Sequence, residues 1–221
     1  MTQNPTGQNH NVENTSFSSS WLTRFDEYAS VKTYPKGTLI FSEGDASDGM
    51  FLIHEGQVKV FMSDESGKEM LIALLGPGEI VGEVASLDGQ PRTASVSAVQ
   101  NTKVAKIGIN EFRQFIEENS DMAFEIIQVL TSRIRDHATS ISNLAFKNVY
   151  GRVIWLLEKH SSQNTDGTFT VNRRFTQQDI ADMVGSSREM VSRVVSELVK
   201  GKYISIDHKI ITILKTLPRG W

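Results

Sequence analysis

Residues 120–146, SDMAFEIIQVLTSRIRDHATSISNLAF, decide how the rest of the chain is read. Ile127, Leu130, Ile134, His137, Ile141 and Leu144 recur at alternating steps of three and four, the spacing of a coiled-coil seam. Gln128, Ser132, Arg133, Arg135, Asp136 and Ser140 between them are polar, so the pattern predicts a helix with one narrow buried stripe. Two partners fit such a stripe: the helix's own domain, or the same helix of a second chain. His137 is the one polar group on it. An imidazole there either finds a hydrogen-bond partner, sets register, or touches a ligand at the interface.

Composition narrows the classes around this helix. A chain of 221 residues has room for more than one compact unit, and 39% hydrophobic content is that of a globular protein. The longest apolar run, MLIALL at 70–75, is far short of the ~20 residues a bilayer crossing needs, so no membrane contact is expected. Residues 1–20 are rich in Asn, Ser and Thr and lack the basic start and apolar stretch of a secretory signal. They are expected to be a disordered tail on a cytoplasmic protein. With no cysteine, the chain cannot form disulfides, thiolate zinc sites, cysteine-ligated iron–sulfur clusters or cysteine nucleophiles. No nucleophile, base and orienting group stand in a recognisable arrangement, so neither a catalytic role nor a metal site is expected. Charge is unevenly spread. Residues 1–146 carry 11 Lys+Arg against 19 Asp+Glu, net −8, whereas 147–221 carry 12 against 7, net +5, which together give the chain's −3. The basic end is the one expected to meet a polyanion.

Toward the N-terminus, Trp21, Leu22, Phe25 and Tyr28 at helical spacing predict a short opening helix over 21–30. The period then drops to two, in TLIF (38–41), MFLI (50–53), QVKVFM (57–62), EMLIALL (69–75), ASVSAV (94–99) and KVAKIG (103–108). Gly37, Gly44, Gly49, Gly56, Gly67 and the Gly76-Pro77-Gly78 cluster separate these runs, and many short strands with glycine turns predict an antiparallel barrel or jelly roll.

The chemistry sits in one departure from that pattern, IVGEVASLDGQPRTASV at 80–96. Gly82 lets backbone approach a ligand, and Val84–Leu87 can form a helical turn whose free N–H groups face an anion. Arg92 supplies a planar fork suited to phosphate, and Thr93 adds a hydroxyl. A carboxylate repels the same anion, so Glu83 is assigned to a sugar hydroxyl. The alternative is a surface Glu/Arg pair in a loop. Gly-Glu, the intervening loop and Arg-Thr-Ala-Ser-Val, in this order, resemble the phosphate-binding cassette of cyclic-nucleotide-binding domains. The stretch 21–146 resembles the sensor half of Crp/Fnr family regulators, in their cyclic-AMP-responsive branch.

That resemblance implies cyclic AMP as allosteric effector, with Gly82 and Glu83 at the ribose and Arg92 and Thr93 at the cyclic phosphate. It also implies a homodimer joined at the long helix and Arg133 beside the nucleotide; His137 then either donates to or stacks on the base, or sits at the seam with no ligand role. The family's pattern has a threonine and a serine where this chain carries His137 and Ala138, which places the departure at the base rather than at the sugar and phosphate.

Toward the C-terminus, KNVYGRVIWLLEKH (147–160) predicts a helix and SSQNTDGT (161–168) a polar loop. A short strand over 168–171 leads into FTQQDIADMVGSSREMVSRVVSELVKGKYIS, 175–205. Thr176 is a good N-cap, with Ile180, Ala181 and Val184 facing inward. Gly185 makes the turn and Ser186 or Ser187 caps a second helix whose inner face is Met190, Val191, Val194, Val195 and Leu198. Two short helices about a three-residue turn predict a helix-turn-helix. The outward Ser187, Arg188, Glu189, Ser192 and Arg193 then sit where a recognition helix meets base edges, arginine pairing with guanine and glutamate with cytosine. The alternative is an ordinary helical hairpin with exposed charges. Tyr203–Ile206 and Ile210–Leu214 predict a hairpin turning at 207–209, a wing on which Lys209 either contacts the DNA backbone or belongs to a simple solvated turn.

This segment also resembles the Crp/Fnr recognition helix. The resemblance implies half-sites of the TGTGA type in double-stranded DNA, read by Arg188, Glu189 and Arg193, with Thr176, Gln178 and Ser187 on phosphates and RNA polymerase as a further partner. The expected architecture is therefore α+β: tail 1–20, cyclic-nucleotide-binding β-roll 21–119, dimerisation helix 120–146, and winged helix-turn-helix 147–221. Rival readings keep the DNA-binding module but change the input to another nucleotide, 2-oxoglutarate or none, or make the sensor a regulatory subunit of an enzyme.

Overall fold

The structure, a computed structural model, describes residues 17–218. It divides into two compact units, with the boundary between Asp136 and His137 inside the long helix.

In the first unit, helix α1 (Ser19–Asp26) is followed by strands β1 (Ser30–Tyr34), β2 (Leu39–Phe41), β3 (Met50–Glu55), β4 (Val58–Ser63), β5 (Glu69–Leu75) and β6 (Ile80–Val81). Helix α2 (Glu83–Asp88), strands β7 (Ser95–Ala98) and β8 (Thr102–Ile107), helix α3 (Ile109–Glu118) and the part of α4 (Ser120–Phe146) up to Asp136 complete it. The strands form two antiparallel four-stranded sheets, ordered β1-β8-β3-β6 and β2-β7-β4-β5. Period-two alternation decides what each face of β3 and β8 buries. Phe51, Ile53 and Val104 point into a core shared with Val58, Leu75 and Val96 of the other sheet. Met50, Leu52, Ala105 and Ile107 point the other way, onto Trp21, Phe25, Phe112, Phe115, Met122, Ile126 and Val129 from the helices. Both faces of β3 are covered, and this is why MFLI reads as a continuous apolar run rather than an alternating one.

Residues 1–16 of the expected tail lie outside the described residues, but Phe17–Ser20 correct it. Phe17 is buried and stacks on Trp21 with ring centroids 3.8 Å apart, and Ser18 caps α1 by accepting from the Trp21 N–H. The capping hydroxyl also donates to Glu125 of α4 at 2.8 Å.

Helix α4 has the predicted bounds, and it carries two apolar faces rather than one. Met122, Ile126 and Val129 are buried against the unit's own core. Ile127, Ile134, Ile141 and Leu144 of the predicted seam are exposed, as are Phe124 and Phe146. Leu130 is corrected: it is partly buried against the unit's own core.

In the second unit, α5 (Val149–Lys159) starts at Asn148, whose side chain accepts from the Gly151 N–H. Strands β9 (Ser161–Gln163) and β10 (Phe169–Val171) follow, then helices α6 (Gln177–Val184) and α7 (Arg188–Lys200) and strands β11 (Ile204–Asp207) and β12 (Ile210–Ile213). The strands make one antiparallel sheet, β11-β12-β10-β9, so the first residues of the expected loop 161–168 are a paired strand. Val153, Leu157, Ile180, Ala181, Val191, Val195 and Leu198 are buried where α5, α6 and α7 pack. Among the described residues no helix is long and apolar enough to cross a membrane.

Candidate functional site

In the first unit the candidate residues converge on α2. Gly82, at its N-cap, has φ 80°, the left-handed region that only glycine adopts without strain. A Cβ there would lie 2.6 Å from Arg92 Nη1 and 3.3 Å from the Phe41 ring, so the position is closed to any side chain. The following backbone turns into α2, whose residues Glu83, Ala85 and Ser86 are buried while Val84 stays exposed.

Arg92 is the hub. It is 3% exposed. Its Nη1 donates to Gly82 O at 2.8 Å, and its Nη2 to Gly49 O at 2.6 Å and Asp48 Oδ1 at 3.2 Å. The guanidinium lies over the Phe41 ring, 4.2 Å from its centroid. Burial lowers its pKa from the ordinary value, opposed first by the charge of Asp48. Its Nε–H is buried with no hydrogen-bond partner, so one donor of a fixed, charged fork is unmet. Thr93, next in the chain, is exposed.

Glu83 does not wait for a partner. Its Oε1 accepts from Arg133 Nη1 at 2.6 Å, while Arg133 Nη2 donates to Ile80 O at 2.7 Å, so the cassette is tied to α4 by a fork that spans a carboxylate and a strand carbonyl. The resemblance brought Arg133 toward the nucleotide; pairing with Glu83 is what the sequence did not reveal. His137 is exposed and opens the second unit.

The second unit holds the other candidate surface. Thr176 caps α6 by accepting from the Asp179 N–H at 3.1 Å, and the Asp179 carboxylate accepts in return from the Thr176 N–H at 2.7 Å, a reciprocal capping box. Gly185 turns the chain in the left-handed region at φ 62°. Of the two candidate serines it is Ser187 that caps α7, accepting from the Met190 N–H at 3.2 Å. The same three-residue turn leaves Ser187, Arg188, Glu189 and Arg193 exposed on one side, with Val191, Val194, Val195 and Leu198 buried on the other. Met190 is corrected: at 39% exposed it belongs to the outer edge of α7. Gln178 is exposed on α6. In the wing, Asp207 pairs with Ile210, which makes His208-Lys209 a two-residue turn, both with positive φ (45° and 66°), and puts Lys209 at its exposed tip.

A buried arginine fork beside a glycine-started helix, and a capped helix-turn-helix with an exposed charged face and a wing, define a ligand-sensing domain joined to a DNA-binding one. Comparison with known proteins agrees. Residues 31–119 match the cyclic nucleotide-binding domain family, and residues 151–216 match the Crp-like helix-turn-helix domain. The chain is 31% identical over 201 residues to the cAMP-activated global transcriptional regulator CRP of Salmonella typhimurium, covering 88% of this chain and 94% of the relative. It is 28% identical over 184 residues to the CRP-like cAMP-activated global transcriptional regulator of Mycobacterium tuberculosis, covering 81% of this chain and 82% of the relative. The solved structure of the c-di-GMP responsive global regulator CLP of Xanthomonas campestris shares the fold, with a TM-score of 0.72, 22% identity, and coverage of 90% of this chain and 100% of that one. The chain belongs to the Crp/Fnr family of transcriptional regulators, proteins that bind DNA and are not enzymes.

Proposed function

We propose that this chain is a homodimeric, cyclic-AMP-responsive regulator that works in the cytoplasm on TGTGA-type palindromes, with RNA polymerase as a further partner. The observation that carries the effector is the Arg92 fork, held rigidly by Gly82 O and Gly49 O with its Nε–H unpaired. A cyclic phosphate is an anion of the right size and charge for that fork. Gly82, Glu83 and Val84 form the wall for the sugar, with the Thr93 hydroxyl beside the phosphate. Arg133 and His137 face the nucleotide from α4. The cyclic AMP responsiveness of the two curated relatives supports the choice of nucleotide.

Dimerisation is supported by the second apolar face of α4. Ile127, Ile134, Ile141 and Leu144, with Leu130 and His137 between them, recur at seam spacing, and a lone chain leaves most of them in water. Domain limits at 119/120 and 146/147 would give the helix to the dimer as one element. On DNA, Arg188, Glu189 and Arg193 read bases, and Thr176, Gln178, Ser187 and Lys209 hold phosphates. Two such readers related by a two-fold axis match half-sites about one helical turn, ~34 Å, apart. The nucleotide acts only through unequal affinity for the arrangements of the paired readers.

His137 and Ala138, in place of a hydroxyl pair, favour a second reading in which the base differs while sugar and phosphate sites are kept. Calorimetry of the purified protein with cyclic AMP, cyclic GMP and 2-oxoglutarate tests both. Binding of cyclic AMP that is lost in Arg92→Ala upholds the first; binding of cyclic GMP alone upholds the second; binding of neither nucleotide removes the cassette assignment.

A further inference from the structure

The guanidinium proposed to receive the phosphate already has an anion on it. Asp48, in the loop before β3, places Oδ1 3.2 Å from Arg92 Nη2, and its other oxygen is hydrogen-bonded to the Lys106 ammonium. The two cations differ from the carboxylate in one respect. Side chains of Arg92 and Lys106 are 1% and 19% exposed, whereas that of Asp48 is 67% exposed. A buried arginine and a half-buried lysine are therefore faced by a negative group at the solvent boundary.

The contact is also incomplete. Nε and Nη2 form the side-on edge of a guanidinium that an oxyanion grips with two parallel hydrogen bonds. Asp48 uses only Nη2, and Nε–H stays buried and unpaired. An unmade hydrogen bond on a buried charged group is costly, so a better-fitted acceptor is favoured over the one in place. Asp48 is nevertheless held: burial pushes its pKa up, but the hydrogen bond and charge of Lys106, and the charge of Arg92, outweigh this and keep it below the ordinary aspartate value.

We propose that Asp48, clamped by Lys106, is a built-in competitor for the phosphate subsite: it occupies Nη2 of Arg92 in the unliganded chain, and an incoming cyclic phosphate binds by displacing it. This rests on the reading of Arg92 as the phosphate partner. The pair Asp48–Lys106 sets how tightly the nucleotide is held, while the base contacts set which nucleotide it is.

The competitor makes a counter-intuitive prediction. Asp48→Asn keeps size and one acceptor but removes the charge, leaving Arg92 less well compensated without ligand and raising its gain on binding one. Calorimetry with cyclic AMP should show binding at least severalfold tighter than wild type. The variant also adds one positive charge to the local field, which would attract any anion. The double variant Asp48→Asn/Lys106→Met restores the local charge, and tightening that persists in it assigns the effect to displacement. Asp48→Ser, which keeps no planar acceptor, should tighten binding likewise, and Asp48 is exposed enough that each variant is expected to fold. Wild-type-like or weaker affinity in both Asp48 variants, or tightening that vanishes in the double variant, overturns the proposal and leaves the cassette standing. Failure of wild type and every variant to bind cyclic AMP overturns the cassette reading, and this proposal with it.

Discussion

Replacing Ile134 by serine separates the two apolar faces of α4. Fully burying an isoleucine side chain is worth about 1.5–3 kcal/mol. Ile134 is 69% exposed in the single chain, so roughly two thirds of that, about 1–2 kcal/mol per copy, is available only from a second chain. A two-fold interface counts the residue twice, which makes Ile134→Ser worth about 2–4 kcal/mol, or roughly 30- to 1000-fold in the dimer Kd. Sedimentation equilibrium reads that Kd directly. Thermal unfolding of the variant should lose only the stabilisation that dimerisation adds, because Ile134 is mostly exposed in the single chain. Ile126→Ser is the contrast: Ile126 is 4% exposed within the sensor core, and its loss should lower stability by about 2–5 kcal/mol. A dimer Kd within threefold of wild type for Ile134→Ser would refute the seam.

Four further outcomes are expected. Arg92→Ala should abolish cyclic nucleotide binding and also lower the unfolding temperature of the sensor, since Gly82 O and Gly49 O lose their donor; calorimetry and thermal unfolding read the two effects. Thr176→Ala removes one half of the capping box and should cost about 1 kcal/mol of stability in the second unit by chemical denaturation. Arg188→Ala should cost ~1–3 kcal/mol on a TGTGA site and relax preference at one base pair, whereas Lys209→Ala should weaken all duplexes alike and reduce the salt slope by about one, both readable by fluorescence anisotropy. His160 is held neutral, its pKa lowered to about 3 by burial and, secondarily, by the charges of Arg173 and Lys159. The unfolded chain takes up the proton first, so stability is full above about pH 6.5 and falls toward pH 3, by up to roughly 1.4 kcal/mol per pH unit. His160→Gln should flatten that slope in urea melts of the second unit.

What could be read in the sequence followed from local physics. The bounds of α4, the strand runs and the helix-turn-helix are set by periodicity, capping residues and glycine turns, all written within a few neighbours. Ile109, Phe112, Phe115 and Ile116 of α3 keep helical spacing, yet they fall between a strand pattern and a longer helix, whose stronger signals mask them. Strand β1 offers no alternation, being exposed along most of its length, and β6 is two residues long. The inner face of α4 was hidden because two apolar stripes on one helix overlap in the pattern, so the seam absorbed Leu130 and left Met122, Ile126 and Val129 unassigned. At the cassette, Gly82, Glu83, Arg92 and Thr93 are a motif, but their partners are not. Asp48, Lys106 and Arg133 reach the site from 44, 58 and 50 residues away from the groups they bind, and no local rule encodes such pairings.

Anisotropy of a labelled TGTGA palindrome, titrated with the full chain at one salt concentration with and without saturating cyclic AMP, tests the coupling of sensing to reading most directly. Binding about tenfold or more tighter with the nucleotide, and no such change on a scrambled duplex, is the predicted result. Equal affinity in the two titrations, with the nucleotide shown by calorimetry to be bound, would contradict it.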